Sequence, residues 1–263
     1  MGVLNVTPDS FSDGGHFFSA EKAVEQAQRM VEGGAAIIDV GGESTRPGAE
    51  PVPAEEELHR VLPVIEALQA AIPVPISIDT RKPEVMRATV AAGAGLINDV
   101  YALQAQDAMA TVATLGVPVC LMHMQGLPET MQDNPEYTDV VEEVTGFLMA
   151  RADACIAAGI PAERILVDPG FGFGKIVQHN LQLLHHLDRL VSRGYPVLVG
   201  LSRKSLIGKV LDLPVDNRLY PSVALAVLAA WKGAAVIRTH DVRETVEAVR
   251  MCQAVRAVGD NTG

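Results

Sequence analysis

The chain has 263 residues, 48% of them hydrophobic and 20% charged, with a net charge of −11 at neutral pH. With a mean hydropathy of +0.20, that composition supports a sizeable core and excludes a disordered chain. The acidic balance, with a pI near 5.1, argues against a general nucleic-acid or anionic-membrane surface.

No apolar run reaches the length of about 18 residues that a membrane span needs. The N-terminus carries no charged region or cleavage site of a secretory signal. Cys120, Cys155 and Cys252 are few, odd in number and widely spaced, which fits buried thiols in a reducing compartment. The expectation is a cytoplasmic protein with no membrane and no nucleic-acid partner.

In chain order, residues 1–6 read as a first strand ending at Asn5, followed by a breaker-rich loop at 7–15. Ser19 is expected to cap an amphipathic helix through Glu32, with Ala23, Ala27, Met30 and Val31 on its apolar side, and Gly33-Gly34 stops it. Residues 36–40 form a second strand, a loop covers 41–48, and a helix spans 55–71 with Pro63 as a kink site. The third strand, 75–78, ends at Asp79, and Pro83 opens the next helix in its first turn.

The fourth strand, 95–97, ends on Asn98-Asp99, and a helix follows at 107–115. The fifth, 117–122, ends on His123; the longest loop, 125–137, then leads into a helix at 139–158. The sixth strand, 164–167, ends on Asp168, with a helix through 181–191. The seventh, 196–199, opens onto 200–205 and a broken helical region at 206–231. The eighth, 235–237, opens onto 238–241, and a helix at 242–258 follows.

Eight strand-then-helix units, with strands that are short continuous apolar runs, predict an α/β protein in which one domain, 1–263, forms a single (β/α)8 barrel. A doubly wound sheet would need a switch point in place of eight regular repeats.

Barrel active sites lie at the C-terminal ends of the strands. Those ends carry Asn5, Asp39, Asp79, Asn98, His123, Asp168, Lys204 with Ser202, and Arg238 with His240. Any one of them alone fits a cap or a structural carboxylate. Eight polar ends converging in one mouth are expensive unless a ligand satisfies them.

Asp79, Asn98 and Asp168 make an acceptor-rich floor suited to a heterocycle with several N–H groups, and Lys204 can answer the carboxylates and donate to the ring. Arg46, Arg238 and His240 bring positive charge to the rim. Barrels often hold phosphate after strands seven and eight, where 202–205 and 238–240 fall. The Gly/Phe loop at 170–174 reads as the wall of an aromatic pocket.

Other chemistries fit poorly. The glycine spacing ending at Lys175 matches neither a P-loop nor a dinucleotide fingerprint. Cys120 and His123 lack a second pair for zinc, and no G-x-S-x-G elbow is present. The reading is a flat hydrogen-bonding heterocycle that carries phosphate.

These residues resemble the dihydropteroate synthase family along nearly the whole chain. The motifs are G-V-L-N-V-T-P-D-S-F-S-D-G-G at 2–15, G-G-E-S-T-R-P-G at 41–48, S-I-D-T at 77–80, I-N-D at 97–99, L-M-H-M-Q-G at 121–126, D-P-G-F-G-F-G-K at 168–175, G-L-S-R-K-S at 200–205 and R-T-H-D at 238–241. The resemblance implies condensation of 6-hydroxymethyl-7,8-dihydropterin diphosphate with 4-aminobenzoate, with Mg2+ as cofactor. Asp79, Lys204, Arg238 and His240 would carry the chemistry.

Residue by residue, it assigns the pterin to Asp79, Asn98, Met122, Asp168 and Lys204. The diphosphate falls to Asn5, Arg46, Arg238 and His240, and Mg2+ to Asn5 and Asp13. The aminobenzoate site takes Thr45, Arg46, Pro47, Phe173, Lys204 and Ser205. Loops 7–15 and 41–48 are expected to close over the reacting centre.

A homodimer through the Ala/Leu-rich stretch 223–231 and inhibition by sulfonamides also follow from the resemblance. The chain departs from the family pattern at Arg81 and at Tyr220-Pro221. It also starts at the first strand, where family members are expected to carry a short preceding segment. Corrinoid-linked methyltransferases would share the Asp/Asn floor but have no need of Arg46, Arg238 and His240. A non-catalytic pterin-binding paralogue should have lost loop residues or Lys204.

Overall fold

The computed structural model describes residues 1–6, 16–44, 48, 51–126 and 130–260, the side chains of 16–19 and 259–260 excepted. Among these residues are eight strands: β1 (Gly2–Asn5), β2 (Ile38–Gly41), β3 (Ile76–Asp79), β4 (Leu96–Asp99), β5 (Val119–Met122), β6 (Ile165–Asp168), β7 (Leu198–Val199) and β8 (Val236–Ile237). The helices are α1 (His16–Glu32), α2 (Ala54–Ala71), α3 (Pro83–Ala91), α4 (Ala108–Leu115), α5 (Val140–Ala157), α6 (Val177–His185), α7 (Leu187–Val191), α8 (Ser205–Leu211), α9 (Leu219–Trp231) and α10 (Val242–Asp260).

β1 to β6 pair in sequence order, all parallel, and β7 pairs with β8. Two bridges close the ring, Val167 with Val197 and Gly2 with Thr239. Val167 N–H donates to the Pro196 carbonyl, and Val3 N–H to the Thr239 carbonyl, each at 3.0 Å. The result is the (β/α)8 barrel that the eight repeats predict.

Helices cover the outer face while side chains fill the inside, so the strands are buried on both sides: Leu4, Ile38, Val40, Ile78, Ile97, Leu121 and Val167 are fully buried. The register brings Asn5, Gly41, Asp79 and Asn98 into one row at the C-terminal rim, and sets Met122 beside Asp168.

Most boundaries follow local chemistry. Pro83 occupies the first turn of α3, where its missing N–H costs nothing. Asp139 caps α5, accepting from the Val141 and Glu142 N–H groups at 3.0 and 3.1 Å. β5 and β7 start after Pro118 and Pro196, which accept a ladder bond but cannot donate one. α2 runs through Pro63 as one helix.

Three expectations are corrected. α1 begins at His16, so Ser19 lies inside its first turn and is not the cap. Serine costs only about 0.5 kcal/mol within a helix, too little to set a boundary. The helix expected through 191 is two, broken at His186 (φ −105°, ψ 23°). Leu183, Leu184, Leu187 and Leu190 are all buried at helical spacing across the break, so periodicity cannot reveal it. α10 extends to Asp260, two residues beyond the expected end. All three cysteines are free and buried. Among the described residues, no helix is long and apolar enough to cross a membrane.

Candidate active site

One side of the barrel mouth is a buried ionic network that joins opposite ends of the chain. Arg238 follows β8, where its N–H donates to the Val199 carbonyl at 2.9 Å. Its Nε donates to Asp39 Oδ2 at 2.6 Å and its Nη2 to Asp79 Oδ2 at 3.0 Å. Asn98 Nδ2 donates to the same Asp39 oxygen at 3.2 Å.

The other oxygen of Asp39, like the Ser77 hydroxyl paired with it across β2 and β3, is buried without a hydrogen-bond partner among the described residues. Burial pushes the Asp79 carboxyl up to about 8; Arg238 opposes the shift, and Asp39, Glu57 and Asp99 add to it. Burial works against the Arg238 charge, but Asp39 and Asp79 overcome that effect and hold its pKa above the ordinary value.

The other side is built from β5, β6 and the loops that follow. Asp168 is buried, its Oδ1 accepts from the Gly170 N–H at 2.7 Å, and its carbonyl accepts from the His123 N–H at 2.9 Å. Burial raises the Asp168 pKa, with Lys204 the largest opposing influence. Met122 sits in a small cluster with Val100, Met124 and Met131, against which Tyr101 and Phe173 pack.

Lys204 precedes α8. Its Nζ donates to the Phe171 carbonyl and lies 4.6 Å from the centroid of the Phe173 ring. Burial lowers the Lys204 pKa to about 8 against the pull of Asp168. Gly170 has φ +67°, and a Cβ there would stand 1.9 Å from the His123 carbonyl oxygen, so this turn admits only glycine.

At the rim, Ser202 Oγ accepts from the His240 N–H at 3.2 Å and lies 3.1 Å from His240 Nδ1. Ser205 is exposed at the start of α8, and Asn5 is half-buried at the end of β1. A Cβ on Gly41 would come within 3.6 Å of the Asp79 Cβ and 3.7 Å of Asn5 Oδ1, so the glycine leaves open the space between those side chains. Asp13, Thr45, Arg46 and Pro47 lie outside the described residues, as do most of the two loops expected to close.

Asp79, Asn98, Arg238, Asp168 and Lys204 therefore gather at one end of the barrel, as their positions at strand ends predict. His123 does not join the floor. Its ring meets Lys175 and packs edge-on against Phe147, with centroids 4.9 Å apart. Burial and Lys175 push its pKa down to about 3.

Three features escaped the sequence reading. Asp39 was visible only as one more strand end, not as the anchor of Arg238 and Asn98. Lys175, read there only as the end of a failed P-loop, is buried beneath the glycine loop. The third is a clamp at the foot of the second loop, where Glu43 pairs with Lys82 and with Arg81 (3.6 Å) and accepts from the Val52 N–H at 3.3 Å. Lys82 also donates to Glu57, at 2.5 Å. The signal for Glu57 was present: a carboxylate in register with Val61, Val64 and Leu68 on the apolar stripe of α2.

The chain matches the model of the family described as "Pterin binding enzyme" over residues 1–240. A dihydropteroate synthase of Haemophilus influenzae is 54% identical over 254 residues, spanning 97% of this chain and 92% of its own. Among solved structures, a Yersinia pestis dihydropteroate synthase in a sulfonamide drug complex superposes with a TM-score of 0.93 at 51% identity, covering 98% of this chain and 94% of its own. A Xanthomonas albilineans dihydropteroate synthase with 4-aminobenzoic acid gives 0.92 at 55% identity, covering 98% and 92%.

Proposed function

We infer the reaction from one premise: this chain belongs to the dihydropteroate synthase family of pterin binding enzymes. The proposed reaction joins 6-hydroxymethyl-7,8-dihydropterin diphosphate to 4-aminobenzoate. The arylamine nitrogen forms a bond to the pterin methylene, the bond from that carbon to the diphosphate oxygen breaks, and the amine loses a proton. Dihydropteroate and diphosphate leave. The observation that carries this reading is the convergence of Asp79, Asn98, Asp168 and Lys204 with Arg238 in one buried mouth.

In this reading, Asp79, Asn98 and Asp168 accept from the N–H edge of the pterin, Lys204 donates to the ring, and Met122 packs near it. The pterin competes with Arg238 for Asp79. The positive charge of the Arg238 guanidinium would then stabilise the departing diphosphate in the transition state, and His240, Asn5 and Arg46 are assigned to the same group. The amine is a neutral nucleophile and needs positioning more than a strong base. Phe173, Lys204 and Ser205, with Thr45, Arg46 and Pro47, supply that positioning.

Mg2+ suits the donor chemistry. Asn5 offers one hard amide oxygen beside the gap left by Gly41. Such a site fits an ion that keeps water and phosphate ligands rather than an all-protein cage. Asn5 and Asp13 would hold it, and when bound it supplies neutralisation of the diphosphate charge.

The proposal extends to the assembly and its surroundings. Tyr220, Leu228 and Trp231 on α9, with Met251, Val255 and Val258 on α10, are exposed, and a second copy of the chain would cover them. The enzyme works in the cytoplasm, and sulfonamides compete for the aminobenzoate site.

The test is diphosphate release from the pterin diphosphate with Mg2+, with and without 4-aminobenzoate. Release that requires both substrates, with dihydropteroate formed in step, supports the reading. Tight pterin binding without release, as in a non-catalytic pterin-binding protein, counts against it.

A further inference from the structure

The proposed reaction gives no role to Lys175, yet this side chain is 3% exposed and organises the loop beside the site. Its Nζ stands 2.9 Å from each of three neutral partners: the Gly170 carbonyl, the Phe173 carbonyl and His123 Nδ1. Both proton states satisfy this geometry. An ammonium donates to all three, whereas a neutral amine donates to the two carbonyls and accepts from an Nδ1–H of the imidazole.

The partners are themselves fixed. The His123 ring is held edge-on by Phe147, and Tyr137 Oη donates to the Gly174 carbonyl at 2.9 Å.

Each end of this knot leads into the site. The Gly170 N–H holds Asp168 Oδ1, the Phe171 carbonyl receives Lys204, and the Phe173 ring lies under the Lys204 Nζ. A separate clamp holds the middle of the loop: Asn180 Oδ1 accepts from the Gly172 N–H at 2.7 Å, and its Nδ2 donates to the Ile176 carbonyl at 2.8 Å. Without Lys175, the Asn180 clamp and strand β6 retain the course of the loop, while the Phe173 carbonyl loses its anchor.

We propose that Lys175 is a positioning residue for the arylamine, drawing Gly170, Phe173 and His123 to one point so that Phe173 and Lys204 keep the aromatic wall in place. The inference rests on the assignment of Phe173 and Lys204 to 4-aminobenzoate. It acts unequally on the two substrates: the wall at Phe173 depends directly on Lys175, while of the pterin ligands Asp79 and Asn98 lie on other strands, Asp168 is held by β6, and only Lys204 is shared with the wall.

The test is steady-state kinetics of Lys175→Met and of His123→Phe, varying each substrate in turn. In Lys175→Met the KM for 4-aminobenzoate should rise roughly tenfold, as expected for a displaced positioning surface, while the KM for the pterin diphosphate stays within about threefold. His123→Phe removes one of the three partners and should shift the same constant by about threefold.

Folded variants that keep the parental KM for 4-aminobenzoate would overturn the proposal, and so would equal losses for both substrates, which mark a fold-supporting lysine. If Lys175→Met does not fold, His123→Phe decides on the same criterion. A parent chain that makes no dihydropteroate contradicts the proposed reaction instead. Titration of parent and variant with 4-aminobenzoate then reads the positioning role by itself.

Discussion

The two sides of the barrel mouth differ in how completely their polar groups are satisfied. Under the glycine loop, Lys175 meets three partners at 2.9 Å, Asn180 bonds both ends of its amide, and Gly170 and Gly174 fit without a side chain. Across the mouth, Asp39 and Ser77 each leave a buried oxygen without a partner among the described residues.

A saturated network specifies a shape and resists change, whereas a partly satisfied one is costly until something binds to it. The comparison makes the glycine loop a scaffold that holds Asp168, Phe173 and Lys204 in place, and the ionic network the region whose polar groups await a ligand.

The largest break in that comparison is Gly170→Ala. The added Cβ collides with the His123 carbonyl, and the positive φ adds strain, so a loss of at least about 3 kcal/mol is expected. Chemical denaturation measures it, and a loss below about 1 kcal/mol would mean that the loop is not the rigid half.

Asp79→Asn should do the opposite on the recognition side. Folded Asp79 holds a proton up to about pH 8, while the unfolded chain releases it near 3.8, so this group costs the parent stability progressively as pH rises from about 4 to 8. The variant should therefore melt higher than the parent at pH 8.5, and the two curves should converge toward pH 4. Parallel melting curves across that range would remove the premise that Asp79 is strained in the free protein.

The smallest expected change is Phe173→Leu. It deletes the ring that faces Lys204 while keeping an apolar side chain, and a contact of this kind contributes about 0.5–1 kcal/mol when exposed. The KM for 4-aminobenzoate should rise by about two- to fivefold, with the pterin constant unchanged. Equal shifts in both constants would join the two halves that the comparison separates.

The barrel was legible because its strands are covered on both faces, which leaves short apolar runs that stop abruptly on a polar residue at the mouth. Asp79, Asn98 and Asp168 could be read that way one at a time. The contact between Arg238 and Asp39 spans 199 positions and leaves no local trace. Lys175 follows a Gly/Phe run whose spacing speaks only about backbone turns, so its burial depends on His123 from a neighbouring strand end. The break at His186 is hidden because the leucine spacing on either side stays in phase.

Calorimetric titration of the parent and of Asp168→Asn with 6-hydroxymethylpterin, a ligand without the diphosphate, tests the assignment of this mouth to a pterin most directly. The account predicts binding of one pterin per chain in the parent and an affinity lower by roughly 10- to 100-fold in the variant, the worth of a hydrogen bond to a buried charged group. An affinity unchanged by Asp168→Asn, or no pterin binding by the parent, would contradict the assignment of this mouth to a pterin.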